Sequence, residues 1–134
     1  QFTKDEQITL MTLWSIFRSP LMFGGELRNN DEWTLSLITN EEIIDVNQNS
    51  HGGKQAYRDE NIVIWTAESS DGKPLIAVFN VSSENRNITV DLSEYGVFGK
   101  YVLRDLWKKE DIAEVESTFA CDVNCHGAKI YKLI

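Results

Sequence analysis

Two thiols, two imidazoles and a surplus of carboxylates are the groups in this 134-residue chain that could do chemistry. Cys121 and Cys125 stand four apart with His126 following, which is half of a zinc ligand set. A structural zinc takes four ligands, and the only other His or Cys is His51. The reading that fits is two ordinary half-buried thiols. A disulfide between them would close a tiny loop and constrain the unfolded chain little. His51 and His126 each precede glycine in loop-like sequence, and neither has an obvious nucleophile partner. No GxSxG elbow, P-loop, dinucleotide fingerprint or HExxH occurs, so no cofactor and no metal is expected. Twenty-one carboxylates could include a glycosidase-type acid–base pair, but spacing singles out none. Glu41-Glu42 suit a helix's first turn, where the dipole favours acidic groups. Trp33, Trp65 and Trp107 could stack on sugars. Trp65 lies in an apolar run that reads as core, whereas Trp107 precedes a polar turn and is the best candidate for an exposed platform. Sequons stand at Asn80-Val81-Ser82 and Asn87-Ile88-Thr89.

The elements that must position these groups change character along the chain. Thr3 and Glu6 have capping-box spacing ahead of Leu10, Leu13, Trp14 and Phe17, which fall on one helix face. Pro20 ends that helix, and Leu21-Met22-Phe23 before Gly24-Gly25 reads as a short buried strand. A second helix is expected over about 32–38, and Thr39 and Glu42 repeat the capping-box spacing before Ile43, Ile44 and Val46. Polar, breaker-rich Asn49 to Gly53 marks a boundary. Beyond it, strands are expected at Ile62–Thr66, Leu75–Val81, Asn87–Leu92, Tyr101–Leu103, Thr118–Val123 and Lys129–Leu133. Short strands at that spacing predict an antiparallel sandwich. Lys108 to Asp111 reads as a solvated turn.

Composition narrows the partners. The net charge of −8 and pI near 4.7 argue against nucleic acid and against an anionic membrane surface. No apolar run reaches the ~18–20 residues of a membrane span. A chain that begins at Gln1, with no signal peptide, is expected to be a piece of something longer.

Four stretches carry a resemblance. Leu13 to Arg28, with Ser19-Pro20-Leu21-Met22-Phe23-Gly24-Gly25, and Leu35 to Gln48, ending Val46-Asn47-Gln48, come first. Val102-Leu103-Arg104-Asp105-Leu106-Trp107 and Val123 to Leu133 follow in order. Together they resemble the C-terminal part of the melibiase group, the α-galactosidases and α-N-acetylgalactosaminidases of glycoside hydrolase family 27. The resemblance implies a mixed fold: the tail of a (β/α)8 barrel in residues 1–50, then an antiparallel β-sandwich in residues 51–134.

The implied parent is a retaining hydrolase of terminal α-galactosides with two catalytic aspartates, periplasmic or extracellular. The family's nucleophile follows a Lys-Tyr pair, and no Tyr here precedes Asp, so no catalytic residue is carried over and the chain alone is expected to be inactive. Phe23, ending the implied last barrel strand, is the one expected substrate-binding residue, as a wall of the sugar pocket. Two other roles compete: a carbohydrate-binding sandwich, or a structural, oligomer-forming domain. The face of Leu10, Leu13, Trp14 and Phe17 is expected to fold back onto the sandwich or to pair with a second copy.

Overall fold

The computed structural model describes residues 4–16 and 40–134. Phe17, Phe23, Trp33 and the elements expected at 21–23 and 32–38 lie outside them, as do the side chains of Leu10, Leu13 and Trp14. Helix α1 (Lys4–Ile16) carries Asp5 and Glu6 in its first turn, where its dipole favours them. Helix α2 (Glu41–Asn49) is capped by Asn40 rather than by Thr39, the residue the capping-box spacing suggests. The Asn40 carboxamide oxygen accepts from the Glu42 and Ile43 backbone N–H groups at 3.0 and 3.2 Å.

Eight strands follow: β1 (His51–Arg58), β2 (Ile62–Glu68), β3 (Pro74–Asn80), β4 (Arg86–Asp91), β5 (Lys100–Asp105), β6 (Glu110–Glu116), β7 (Thr118–Val123) and β8 (Ala128–Leu133). All pairings are antiparallel, in the order β1-β2-β3-β8-β5-β6-β7-β4. Six of the eight coincide with expected strands. The other two, β1 and β6, are almost wholly exposed, so neither shows the apolar alternation that marks a strand. β1 occupies part of the stretch read as a breaker-rich boundary: α2 runs to Asn49 and β1 starts at His51, with Gly52 at φ 69°. The turn expected at Lys108–Asp111 stands instead at Leu106–Lys109, and Glu110 and Asp111 already belong to β6.

The sheet folds over on itself at the β6–β7 join. Only Glu116 and Thr118 pair there, and Ser117 between them takes a left-handed φ of 70°. That fold lays β7 and β4 across β3, β8 and β5. Ile64, Ile76, Val78, Leu103, Tyr131 and Leu133 from one layer meet Ile88, Val90, Phe119, Cys121 and Val123 from the other. Phe119 packs edge-on to Tyr131 with ring centroids 5.3 Å apart. β4 and β7 alternate buried and exposed residues, as strands with one wet face should.

β3 does not alternate: every residue from Leu75 to Asn80 is buried. Its even-numbered side chains enter the sandwich, while Leu75, Ala77 and Phe79 join Val63, Ala128 and Ile130 on the opposite face. Ile43 and Val46 of α2 cover that second face, and α1 lies against α2, β8 and β3. The result is three layers: helices, a central strand layer, and the β4–β7 layer.

Asn80 closes the far end of β3. It is 1% exposed, and its amide donates to the carbonyls of Glu84 at 2.8 Å and Val123 at 2.9 Å. Its oxygen accepts from the Ser82 N–H and hydroxyl. Asn80→Ala leaves those buried groups unsatisfied, so unfolding in urea should become easier by about 1–3 kcal/mol. The midpoint should fall with the slope of the transition unchanged.

Candidate functional site

The polar residues that converge most tightly do so where the helices meet the sheet, around Arg104-Asp105-Leu106-Trp107. Each of the four has a distinct task. Arg104, at the end of β5, donates from Nε and Nη2 to the two Glu42 carboxylate oxygens of α2 at 2.7 and 2.9 Å. Nη1 and Nη2 also reach Asp111 Oδ1 and the Lys109 carbonyl, both at 3.0 Å. Hydrogen bonding to Glu42, then to Asp111, lifts the guanidinium further above its ordinary pKa.

Asp105 is buried, and its Oδ1 accepts from the Trp107 and Lys108 backbone N–H groups at 3.0 Å each, which shapes the β5–β6 turn. Leu106 enters the outer core, and its N–H donates to the Ile130 carbonyl at 3.1 Å. Trp107 is half-buried against that core, and its indole Nε1 donates to Thr12 Oγ1 of α1 at 2.8 Å. Thr12 is itself fully buried and donates to the Ile8 carbonyl. Trp107 is therefore no exposed stacking platform: its ring is a wedge between α1 and the sheet. Trp65 also packs against the outer core, half-buried.

Asn40 completes the seam from the helix side. While its oxygen caps α2, its amide nitrogen donates to the Leu106 and Trp107 carbonyls at 3.1 and 3.3 Å. One buried side chain thus satisfies a helix N-terminus and the turn beneath it. The start of α1 is tied to the β7–β8 turn. Thr9 Oγ1 is 2.7 Å from the His126 carbonyl, Asn124 Nδ2 donates to Asp5 at 3.3 Å, and His126 Nδ1 stands 4.0 Å from Glu6.

The other sequence-selected groups do not assemble into a catalytic constellation. His51 pairs with Glu68 across β1 and β2 at 2.9 Å, on an exposed rim. Cys121 and Cys125 are both free thiols, the first buried and the second half-buried. Burial pushes the Cys121 thiol up to about 11. Burial likewise raises the hydroxyl of Tyr131, to which Cys121 is hydrogen-bonded. Among the described residues no three His, Cys, Asp or Glu side chains gather closely enough to hold a metal. Of the two sequons, Asn80 is sealed in the core, while Asn87 faces solvent on β4 and donates to Asp122 at 2.8 Å. The signal missed in the sequence was the Arg104–Glu42 pair, because 62 residues separate its partners.

Comparison with known proteins follows this two-part geometry. The alpha galactosidase C-terminal beta sandwich domain matches residues 59–133, and the alpha galactosidase A family matches residues 1–49. The chain belongs to the alpha galactosidase C-terminal β-sandwich family. Alpha-galactosidase 2 of Arabidopsis thaliana is 30% identical over 98% of this chain, which covers 34% of that protein. A GH27 β-L-arabinopyranosidase from Geobacillus stearothermophilus is 50% identical, with a TM-score of 0.94 over 99% of this chain and 31% of its own. Alpha-galactosidase I from Mortierella vinacea, at 20% identity, shares the fold with a TM-score of 0.91 over 99% of this chain and 36% of its own. The chain thus spans about a fifth to a third of the curated relatives it matches.

Two outcomes test the seam and the thiols. Trp107→Phe keeps most of the wedge but removes the bond to Thr12. Amide exchange in 4–16 should then rise by roughly three- to tenfold, the equivalent of one net hydrogen bond, while β3 and β8 stay protected. Iodoacetamide at pH 8 should label Cys125 in the native protein and Cys121 only after unfolding, because the thiolate is the nucleophile. Cys121 holds its proton more tightly when folded than at its ordinary value of 9.0. Its contribution to stability is therefore complete below pH 9 and lost as pH rises towards 11.

Proposed function

We propose that this chain is the C-terminal portion of a retaining glycoside hydrolase acting on terminal α-galactosides or on sugars of the same ring configuration. Residues 1–50 would be the tail of its (β/α)8 barrel, and residues 51–134 the sandwich packed beside it. The observation that carries this reading is the seam. Asn40, Arg104 and Trp107 bind the sandwich to two helices that the alpha galactosidase A match covers and the sandwich match does not. The sandwich serves as a structural partner of the barrel, and its role is to hold the barrel's last helices. The two catalytic aspartates are supplied by chain outside these 134 residues, a reading supported by the lack of any Tyr-Asp pair. Phe23 is proposed as a wall of the sugar pocket, and the periplasm or the extracellular space as the compartment. The apolar positions Leu10, Leu13, Trp14 and Phe17 would meet a neighbouring barrel helix or, without one, a second copy.

A second reading of the sugar rests on the 50% identity to the Geobacillus β-L-arabinopyranosidase, against 30% to the Arabidopsis α-galactosidase. β-L-arabinopyranosides and α-D-galactopyranosides present the same ring hydroxyls and leaving group and differ by one hydroxymethyl at C5. Pocket discrimination at one such group is worth about tenfold or more.

The test is to express these residues behind the barrel encoded upstream and compare p-nitrophenyl α-D-galactopyranoside with p-nitrophenyl β-L-arabinopyranoside. The long protein should hydrolyse at least one with retention, kcat/KM favouring one by that factor, and the 134-residue chain should hydrolyse neither. Turnover by the short chain, or inertness of the long one towards both, overturns the reading.

A further inference from the structure

The sandwich has an open mouth at the β2–β3 hairpin end, on the face of the sheet opposite the outer core that Trp107 joins. A cleft of about 280 Å³ lies there between the start of β1, the ends of β2 and β3, and the 3-10 turn Leu92–Tyr95. Its walls include the half-buried Tyr95 and Val97 and the buried Ile76. Its rim carries Thr66, Glu68 and His51. Pockets for drug-sized ligands run from about 300 Å³ upward, so this one suits something smaller, such as a single sugar ring.

The rim has unspent hydrogen-bonding capacity. Glu68 Oε1 is engaged by His51 at 2.9 Å. No other described residue bonds the second Glu68 oxygen, the Thr66 hydroxyl or the Tyr95 hydroxyl. The apolar wall and this polar rim match the two sides of a pyranose, which has a C–H face and a hydroxyl edge. Charge selects further. Glu68 stands on the rim, and Asp91 and Glu94 act electrostatically on Tyr95, so an anionic ligand would be repelled.

We propose that this cleft binds a single neutral pyranose, with its C–H face on Tyr95 and Val97 and its hydroxyls on Glu68 and Thr66. Binding there needs no catalytic carboxylate, so the proposal stands or falls independently of the proposed hydrolase activity. It also relocates sugar recognition on this sandwich from Trp107, which is committed to Thr12.

Amide NMR of the isotopically labelled 134-residue chain, titrated with D-galactose, L-arabinose and D-glucose in the millimolar range, provides the test. At least one sugar should give saturable shifts confined to residues near 51–52, 66–68 and 95–97. Glu68→Gln and Thr66→Val should each weaken binding by roughly three- to tenfold, the equivalent of one net hydrogen bond. Tyr95→Ala should abolish it, with the unfolding midpoint recorded alongside to establish that the variant is folded. D-galacturonate should bind more weakly than D-galactose. Unsaturable drift with all three sugars, undiminished binding in both rim variants, or galacturonate binding as tightly as galactose would each overturn the proposal.

Discussion

The strands β2, β3 and β8 are apolar on both faces, and the rest of the structure answers to that constraint. A strand buried on one side alone could present a polar outer face, as β4 and β7 do. Leu75, Ala77, Phe79, Val63 and Ile130 forbid that solution, because they point away from the sandwich interior. Leaving one large apolar side chain in water forgoes ~1.5–3 kcal/mol, and this outer face carries several. It must be covered, and α1 and α2 supply the cover. The sandwich of this chain is accordingly one half of a helix-on-sheet unit.

Covering an apolar face with a helix end creates a second problem, since a helix N-terminus buries unpaired N–H groups. Asn40 meets it with a single side chain. Its oxygen caps α2 and its nitrogen satisfies the two carbonyls that the β5–β6 turn leaves exposed beneath the helix. Arg104 works on the same principle one turn further along. It is only part-exposed, yet the Glu42 carboxylate, Asp111 and a carbonyl engage its donors, so its charge lies in the seam with partners. Polar pairing here fixes where each helix lies, and apolar burial supplies the driving force. This division explains why the polar side chains of the seam come from both sides of it.

What was legible in the sequence follows from the same physics. Strands with one wet face announce themselves by alternation, so Ile88 and Val90 read correctly, while Leu92, the last of the expected run, is buried but opens the 3-10 turn Leu92–Tyr95. The continuous run from Leu75 to Val81 reads as a strand from its composition, but only the structure shows that two different layers bury its two faces. β1 and β6 were illegible because their described side chains are almost all exposed, with Val115 alone of β6 packed against the core: backbone pairing with β2 and β5 holds them, and it leaves no side-chain pattern. Trp107 misled for a related reason. A tryptophan before Lys108-Lys109 looks exposed in sequence, and the α1 residue that buries it lies 95 positions away. Capping went the same way: Thr39 has the right spacing to Glu42, yet Asn40 has two functional ends and can serve helix and turn together.

The stretch Arg104-Asp105-Leu106-Trp107, one of those that carry the family resemblance, therefore describes a joint rather than a chemistry. Arg104, Asp105, Leu106 and Trp107 each contact a helix, a turn or the outer core, and Asn40 and Glu42 answer them from the other side. Among the described residues such a joint is made of helix, turn and sheet contacts. This chain matches an α-galactosidase over 98% of its length and a β-L-arabinopyranosidase over 99%. Identity across the seam reports how a sandwich is fastened to helices.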